Sequence, residues 1–175
     1  DIWGMKKNGI NYAVIGNRTK VSVFSLEDPK KPKLRYEAPG DASIWRDIKS
    51  FNNHLYVTAD EGTGGVVIID MTQAPENISH THFKPLLSVG PDVNKELLRC
   101  HNLYIDENGF MYLAGCNISK RGVLIFDLKA NPKNPVYSGA ADLQYSHDAF
   151  TRGDTLFSSE IKIGKLSIYA VKDKS

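Results

Sequence analysis

The sequence predicts an all-β fold, a β-propeller with about four four-stranded antiparallel blades. Three observations carry this. Short runs rich in Val, Ile, Tyr and Phe recur along the chain, each bounded by Gly, Asn, Asp or Pro. Helical periodicity is weak throughout. An Arg/His-Asp/Asn pair returns ahead of a strand at intervals of about 50 residues, the size of one small sheet in a repeat. A β-sandwich or barrel also has short strands, but would not repeat such a pair at that interval.

The units open at Asp1-Ile2-Trp3, Asp47-Ile48-Lys49, Asn102-Leu103-Tyr104 and Asp148-Ala149-Phe150. Arg46, His101 and His147 stand immediately before the last three. A turn follows in each, then a strand led by Tyr12, Tyr56, Tyr112 or Phe157. That strand ends in a polar residue: Asn17, Asp60, Asn117 or Glu160. Phe24, Ile69, Phe126 and Tyr169 mark the third strand. Two units close on Asp28-Pro29-Lys30-Lys31-Pro32 and Asn131-Pro132-Lys133-Asn134-Pro135. The first proline of each sets a turn after the third strand. The second suits the entrance of an outer strand, where a missing N–H is tolerated. The blades are expected at about 1–40, 41–90, 91–143 and 144–175. Asp92–Leu98 reads as an irregular insertion rather than a helix, and Pro85–Leu97 as local to its unit.

The first unit begins at its innermost strand, and the last runs only to a third strand. The expectation is an incomplete portion of a propeller of roughly six to eight blades. The remaining blades of the same protein would then be missing from this chain.

Composition narrows the function classes. The chain has 175 residues, 41% hydrophobic and 24% charged, which argues against disorder. Lys and Arg number 22 against 20 Asp and Glu, so the balance gives no reason to invoke nucleic acid. No apolar run approaches the ~20 residues of a spanning helix, and no signal peptide is visible.

In a propeller the innermost strand of every blade lines the central channel, so a residue repeated at its start recurs around the mouth. Asp1, Asp47, Asn102 and Asp148 form that expected ring, joined by Arg46, His101 and His147. Asn17, Asp60, Asn117 and Glu160 fall near the same face, because the second strand runs back against the first. The chemistry leaves three readings open. His101, His147, Asp148 and Asp47 supply the imidazole and carboxylate donors that one divalent metal ion takes. Without metal, Arg46, Asp47, Asn102, Asp60 and Asn117 line a polar pocket for a small ligand, with Arg46 suited to an anion. Alternatively the ring is structural, its side chains satisfying backbone N–H groups at strand entrances. For catalysis the candidates are His147 and Glu160, a possible acid–base pair on adjacent strands. No metalloprotease, nucleophile-elbow or phosphate-loop motif is present.

The remaining features are read more plainly. His54 sits at a hairpin turn and is expected to face solvent. His80 and His82 share one face of an outer strand, expected as an exposed edge. Lys30, Lys31, Lys33 and Arg35 read as a solvated edge that discourages aggregation. Asn17, Asn77 and Asn117 head Asn-x-Ser/Thr triplets and are read as turn residues. Cys100 and Cys116 flank a hairpin turning at Asp106-Glu107-Asn108-Gly109 and face each other within one residue of register. They would form a cross-strand disulfide in an exported protein, or two buried thiols otherwise.

Asp1-Ile2-Trp3-Gly4, Ser43-Ile44-Trp45-Arg46-Asp47-Ile48-Lys49, His101-Asn102 and Ser146-His147-Asp148-Ala149 resemble the choice-of-anchor B proteins. Val123-Leu124-Ile125-Phe126-Asp127-Leu128, with Asn131-Pro132 and Pro135, resembles the LVIVD repeat of the same group. The likeness runs over nearly the whole chain in order. It implies an exported bacterial β-propeller, extracellular or at the cell surface, and no defined activity. The expected function is a binding or scaffold module whose mouth holds a metal ion or small ligand, for an unknown ligand or protein partner. The alternatives are a hydrolase or lyase using the same residues, and a purely structural interaction module.

Overall fold

Seventeen short strands make up nearly all regular structure in the computed structural model, which describes residues 1–172. Residues 173–175 of the expected fourth blade lie outside the described residues. The first sheet is β1 (Ile2–Lys7), β2 (Ile10–Gly16), β3 (Lys20–Ser25) and β4 (Lys33–Pro39). The second is β5 (Arg46–Phe51), β6 (His54–Ala59), β7 (Val66–Gln73) and β8 (Asn77–Phe83). A hairpin of β9 (Leu86–Val89) and β10 (Asp92–Glu96) follows. The third sheet is β11 (Asn102–Ile105), β12 (Phe110–Ala114), β13 (Val123–Asp127) and β14 (Val136–Ala141). The fourth has three strands: β15 (Ala149–Arg152), β16 (Thr155–Glu160) and β17 (Lys165–Ala170). Each sheet is an antiparallel meander in chain order.

Tight turns impose that order. Asn8 and Gly9 both take positive φ between β1 and β2, the backbone a two-residue hairpin turn needs. Asn52 and Asn53 do the same between β5 and β6. All three four-stranded sheets shift register between their third and fourth strands, at Val23/Phe24, Asp70/Gln73 and Ile125/Phe126. Such irregularities increase local twist, which suits the outer strand of a twisted blade.

The sheets stack face to face, and their first strands lie side by side: β1 by β5, β5 by β11, β11 by β15. Tyr12, Val14, Val21 and Val23 of the first sheet meet Ile48, Leu55, Val57 and Ile69 of the second in one buried core. Tyr56, Val66 and Ile68 on the other side of the second sheet meet Leu103, Met111, Leu113 and Phe126 of the third. Tyr112, Ala114 and Ile125 then meet Ala149 and Leu156 of the fourth. The middle sheets are therefore covered on both faces. β6 is buried from His54 to Thr58 and β12 along its whole length, while β16 alternates buried and half-buried positions. The arrangement is propeller-like, with no sheet closed on itself.

Three expectations are corrected. The segment read as an irregular insertion at Asp92–Leu98 belongs to the β9–β10 hairpin, and Leu87, Val89 and Leu97 bury themselves in the core between the second and third sheets. His54 is buried rather than solvent-facing; its Nδ1 lies 2.8 Å from Asn52 O and its Nε2 3.7 Å from Asp70. His80 is not simply an exposed edge residue: its Nδ1 meets the Tyr36 hydroxyl at 2.7 Å, tying β8 to β4. Cys100 and Cys116 form the disulfide, both fully buried. Opening a loop of this size costs roughly 3 kcal/mol by unfolded-chain entropy. Replacing both cysteines with Ala is expected to lower the unfolding free energy by about 2–4 kcal/mol in a denaturant titration. An unchanged midpoint would show that the bridge does not constrain the unfolded chain.

Ion pairs make the fold acid-sensitive. Burial pushes the Asp70 pKa up, but bonds from Lys133 and Thr72 outweigh it and hold the carboxyl below its ordinary value. Lys133 belongs to the loop before β14, so the pair joins the second and third sheets. Hydrogen bonds from Arg35, Lys20 and Lys95 lower Glu27, Glu37 and Asp92 in the same direction. A carboxyl with a lower pKa folded than unfolded adds stability above its unfolded value and loses it as pH falls through the folded one. Stability should therefore decline below about pH 4. Urea midpoints measured across pH check this, and Asp70→Asn should make the decline shallower. A midpoint that rises on acidification contradicts it.

Candidate functional site at the mouth

Two members of the ring of Asp and Asn at the first-strand entrances, Asp1 and Asp47, are latches between sheets. Asp1 Oδ2 accepts the Ile48 N–H at 3.0 Å. Asp47 Oδ2, one unit on, accepts the Leu103 N–H at 2.9 Å and the Asn102 amide at 2.7 Å. In both cases the carboxylate satisfies the N–H one residue past the next unit's Asp or Asn. Lys49 also pairs with Asp47, and Trp3 Nε1 donates to Ser50 Oγ at 2.9 Å across the first junction.

Arg46 is likewise occupied. It is buried, and its guanidinium donates to Asn17 O at 2.7 Å, Arg18 O at 3.2 Å and Asp41 O. Desolvation pulls its pKa down, opposed by Asp41. It clamps the loops of the first sheet onto the second. Asn117 Oδ1 accepts the Leu98 N–H at 2.8 Å and the Arg99 N–H at 3.3 Å, and its Nδ2 donates to Glu96 O at 2.9 Å. It fixes the return of the hairpin. Arg46, Asp47, Asn102 and Asn117 thus satisfy the scaffold's own polar groups.

The other candidates gather at the third and fourth sheets. The His101 and His147 rings are in contact at a tilt, with centroids 4.1 Å and planes 56° apart. His101 Nδ1 approaches Asp60 Oδ2 at 3.1 Å, but this buried atom makes no aligned hydrogen bond. His147 Nδ1 lies 2.5 Å from Asp148 Oδ2. The arrangement is two imidazole–carboxylate pairs back to back. Among the described residues, no three His, Cys, Asp or Glu side chains converge on a point that could hold a metal ion. Glu160 stands opposite His147 when the β15–β16 register is extended, yet its carboxylate accepts from the Tyr169 hydroxyl at 2.7 Å.

Four residues beside this cluster were given no site role by the sequence reading. The Tyr145 ring carries the Arg121 guanidinium at 5.1 Å and the Lys162 ammonium at 4.4 Å. Trp45 is exposed, and its carbonyl accepts the Asp60 N–H at 3.3 Å. Trp45 has a signal, since it precedes Arg46-Asp47 in the repeated pair. Tyr145 has none before the loops are placed.

The latches predict a specific loss. Asp47→Ala leaves the Leu103 N–H and the Asn102 amide without their acceptor at the junction of the second and third sheets. It is expected to cost about 1–3 kcal/mol in unfolding free energy. Asp60→Ala, whose carboxylate lies against the His101 ring rather than a backbone N–H of the next sheet, is expected to cost less. The reverse order in denaturant titrations would remove the latch as a structural element.

No family model matches the chain, and no curated protein matches it. Among solved structures, an α-L-arabinofuranosidase from Clostridium thermocellum is similar over 96% of this chain and 66% of its own, with a TM-score of 0.51 and 16% identity. The chain thus spans about two thirds of that structure's length. At this identity the likeness is one of fold: an all-β, propeller-like stack of antiparallel sheets.

Proposed function

We propose that this chain is a portion of an exported or cell-surface propeller that works as a binding module, holding a small polar ligand at its mouth. The observation that carries the reading is the tilted His101–His147 ring pair, each ring facing its own carboxylate. It offers donors and acceptors not committed to backbone, unlike Arg46, Asp47, Asn102 and Asn117. Exposed Trp45 nearby and the cation-flanked Tyr145 ring add aromatic surface, the mixture a polyhydroxylated ligand takes. Export is supported by the disulfide, which belongs to oxidising compartments, and by the resemblance to choice-of-anchor B proteins.

The hydrolase alternative is favoured by one observation, the shared fold with an arabinofuranosidase. Acid–base work by His147 and Glu160 would need Glu160 to leave Tyr169. Binding without turnover needs no rearrangement. A divalent ion would take His101, His147 and Asp148 as ligands only after the two pairs turn toward one point. The purely structural alternative is met by the latches but leaves the histidine pair without a task.

Calorimetric titration with arabinose, arabino-oligosaccharides and, separately, Zn²⁺ and Mn²⁺ tests the reading. Saccharide binding weakened about tenfold or more in His147→Ala, with the unfolding midpoint kept, is the expected result. Absence of heat with every saccharide refutes the saccharide reading. Release of reducing sugar would turn the conclusion to the hydrolase.

A further inference from the structure

The outer strand of the second sheet carries a second histidine pair, on a different strand from the one at the mouth. His80 and His82 stand two residues apart on β8, so the pleat puts both on one face. Their rings meet edge to face, with centroids 5.6 Å and planes 76° apart. His82 is exposed and His80 half-buried.

Each ring is held by its Nδ1. His82 Nδ1 lies 2.8 Å from Gly64 O, which only accepts. Nδ1 therefore carries the proton, and Nε2 of the neutral ring keeps its lone pair. His80 Nδ1 lies 2.7 Å from the Tyr36 hydroxyl of β4. A hydroxyl accepts as readily as it donates, so the same tautomer is open to His80. Among the described residues, neither Nε2 has a hydrogen-bond partner. A ring oriented through Nδ1–H, with Nε2 bare, is how a metal-ligating histidine is held.

Charge and spacing agree with that arrangement. Burial, and after it the neighbouring His82, lowers the His80 pKa, which favours the neutral ring. A carboxylate stands close by: Asp41 Oδ2 and His82 Nδ1 lie 3.6 Å and 3.4 Å from the point a Gly64 Cβ would occupy. Negative charge there favours a cation at the pair. Two imidazoles that share one ion at about 2.1 Å from each Nε2, near the tetrahedral angle, have centroids about 5 Å apart. The observed 5.6 Å is a small turn of the rings from that value.

We propose that His80 and His82 chelate one divalent transition-metal ion through their Nε2 atoms. Imidazole suits Cu²⁺, Zn²⁺ and Ni²⁺, and Cu²⁺ is held most tightly of the three. Among the described residues, no third His, Cys, Asp or Glu converges with the pair. Water takes the remaining positions, so the bound ion stays open to an incoming ligand. The strand already sets the pair, so binding asks only for side-chain rotation. The site is independent of what the mouth holds.

Calorimetric titration of Cu²⁺ into the unaltered chain, with electron paramagnetic resonance of the loaded protein, tests the proposal. An equivalent of Cu²⁺ with two coordinating nitrogens is the expected result. His82→Ala should weaken that equivalent about tenfold or more and remove one nitrogen from its spectrum. The unfolding midpoint should stay unchanged, because His82 is exposed. A second variant exchanges neighbours, Thr81→His together with His82→Thr. Thr81 is exposed as well, so the exchange keeps the number of histidines and moves one to the other face of β8. It should weaken binding as much as His82→Ala does. An unaltered chain that takes up no Cu²⁺ overturns the proposal. Binding that survives either variant undiminished overturns it too, since the ion would then sit elsewhere.

Discussion

The first-strand latch is the constraint on which the rest of this fold depends. In a stack of separate sheets, the innermost strand has no hydrogen-bonded neighbour on its outer edge. Its N–H groups face the channel and the next sheet, where burial without a partner costs about 1–3 kcal/mol each. A short carboxylate at the strand entrance solves this by reaching across: Asp1 to Ile48, Asp47 to Leu103. The acceptor is ionised, so the bond is stronger than its neutral counterpart. It also fixes the height of each sheet against the next, which the nondirectional apolar core between them does not do.

That constraint explains why fold and site differ in legibility. The fold was readable because two signals repeat together, the Asp or Asn at each entrance and the aromatic at the head of each second strand. Tyr12, Tyr56 and Tyr112 are all fully buried between sheets. The Asn-Pro and Asp-Pro turns placed the outer strands β4 and β14. What did not repeat was misread. The β9–β10 hairpin has only a few apolar residues, and its Leu87 and Leu97 are core residues by tertiary placement alone. His54 looked like a turn residue because of Asn52 and Asn53, but the turn folds its ring back against Asp70.

The site was legible as a list and not as a set of roles. Sequence placed Arg46, His101 and His147 at equivalent positions, which implies equivalent work. The structure separates them by what lies within reach. Arg46 has a long side chain with several donors, and three backbone carbonyls absorb them. His101 is shorter and meets a carboxylate and a second imidazole instead. The same position therefore serves as a clamp at one junction and as a candidate ligand group at another. Spacing does not distinguish these outcomes, because they turn on side-chain length and on which carbonyls the preceding loop presents.

Burial pattern carries the argument from the interior to the ends. A sheet covered on both faces has little reason to alternate polar and apolar residues, and β6 and β12 do not. A sheet with one face in water is expected to alternate clearly. β17 departs from that expectation: Leu166 and Ile168 point to the side away from the third sheet, where polar residues would stand on a solvated face. Ile2 and Ile15 break the same rule at the other end. The first and fourth sheets thus carry apolar residues on the faces that no other described sheet covers.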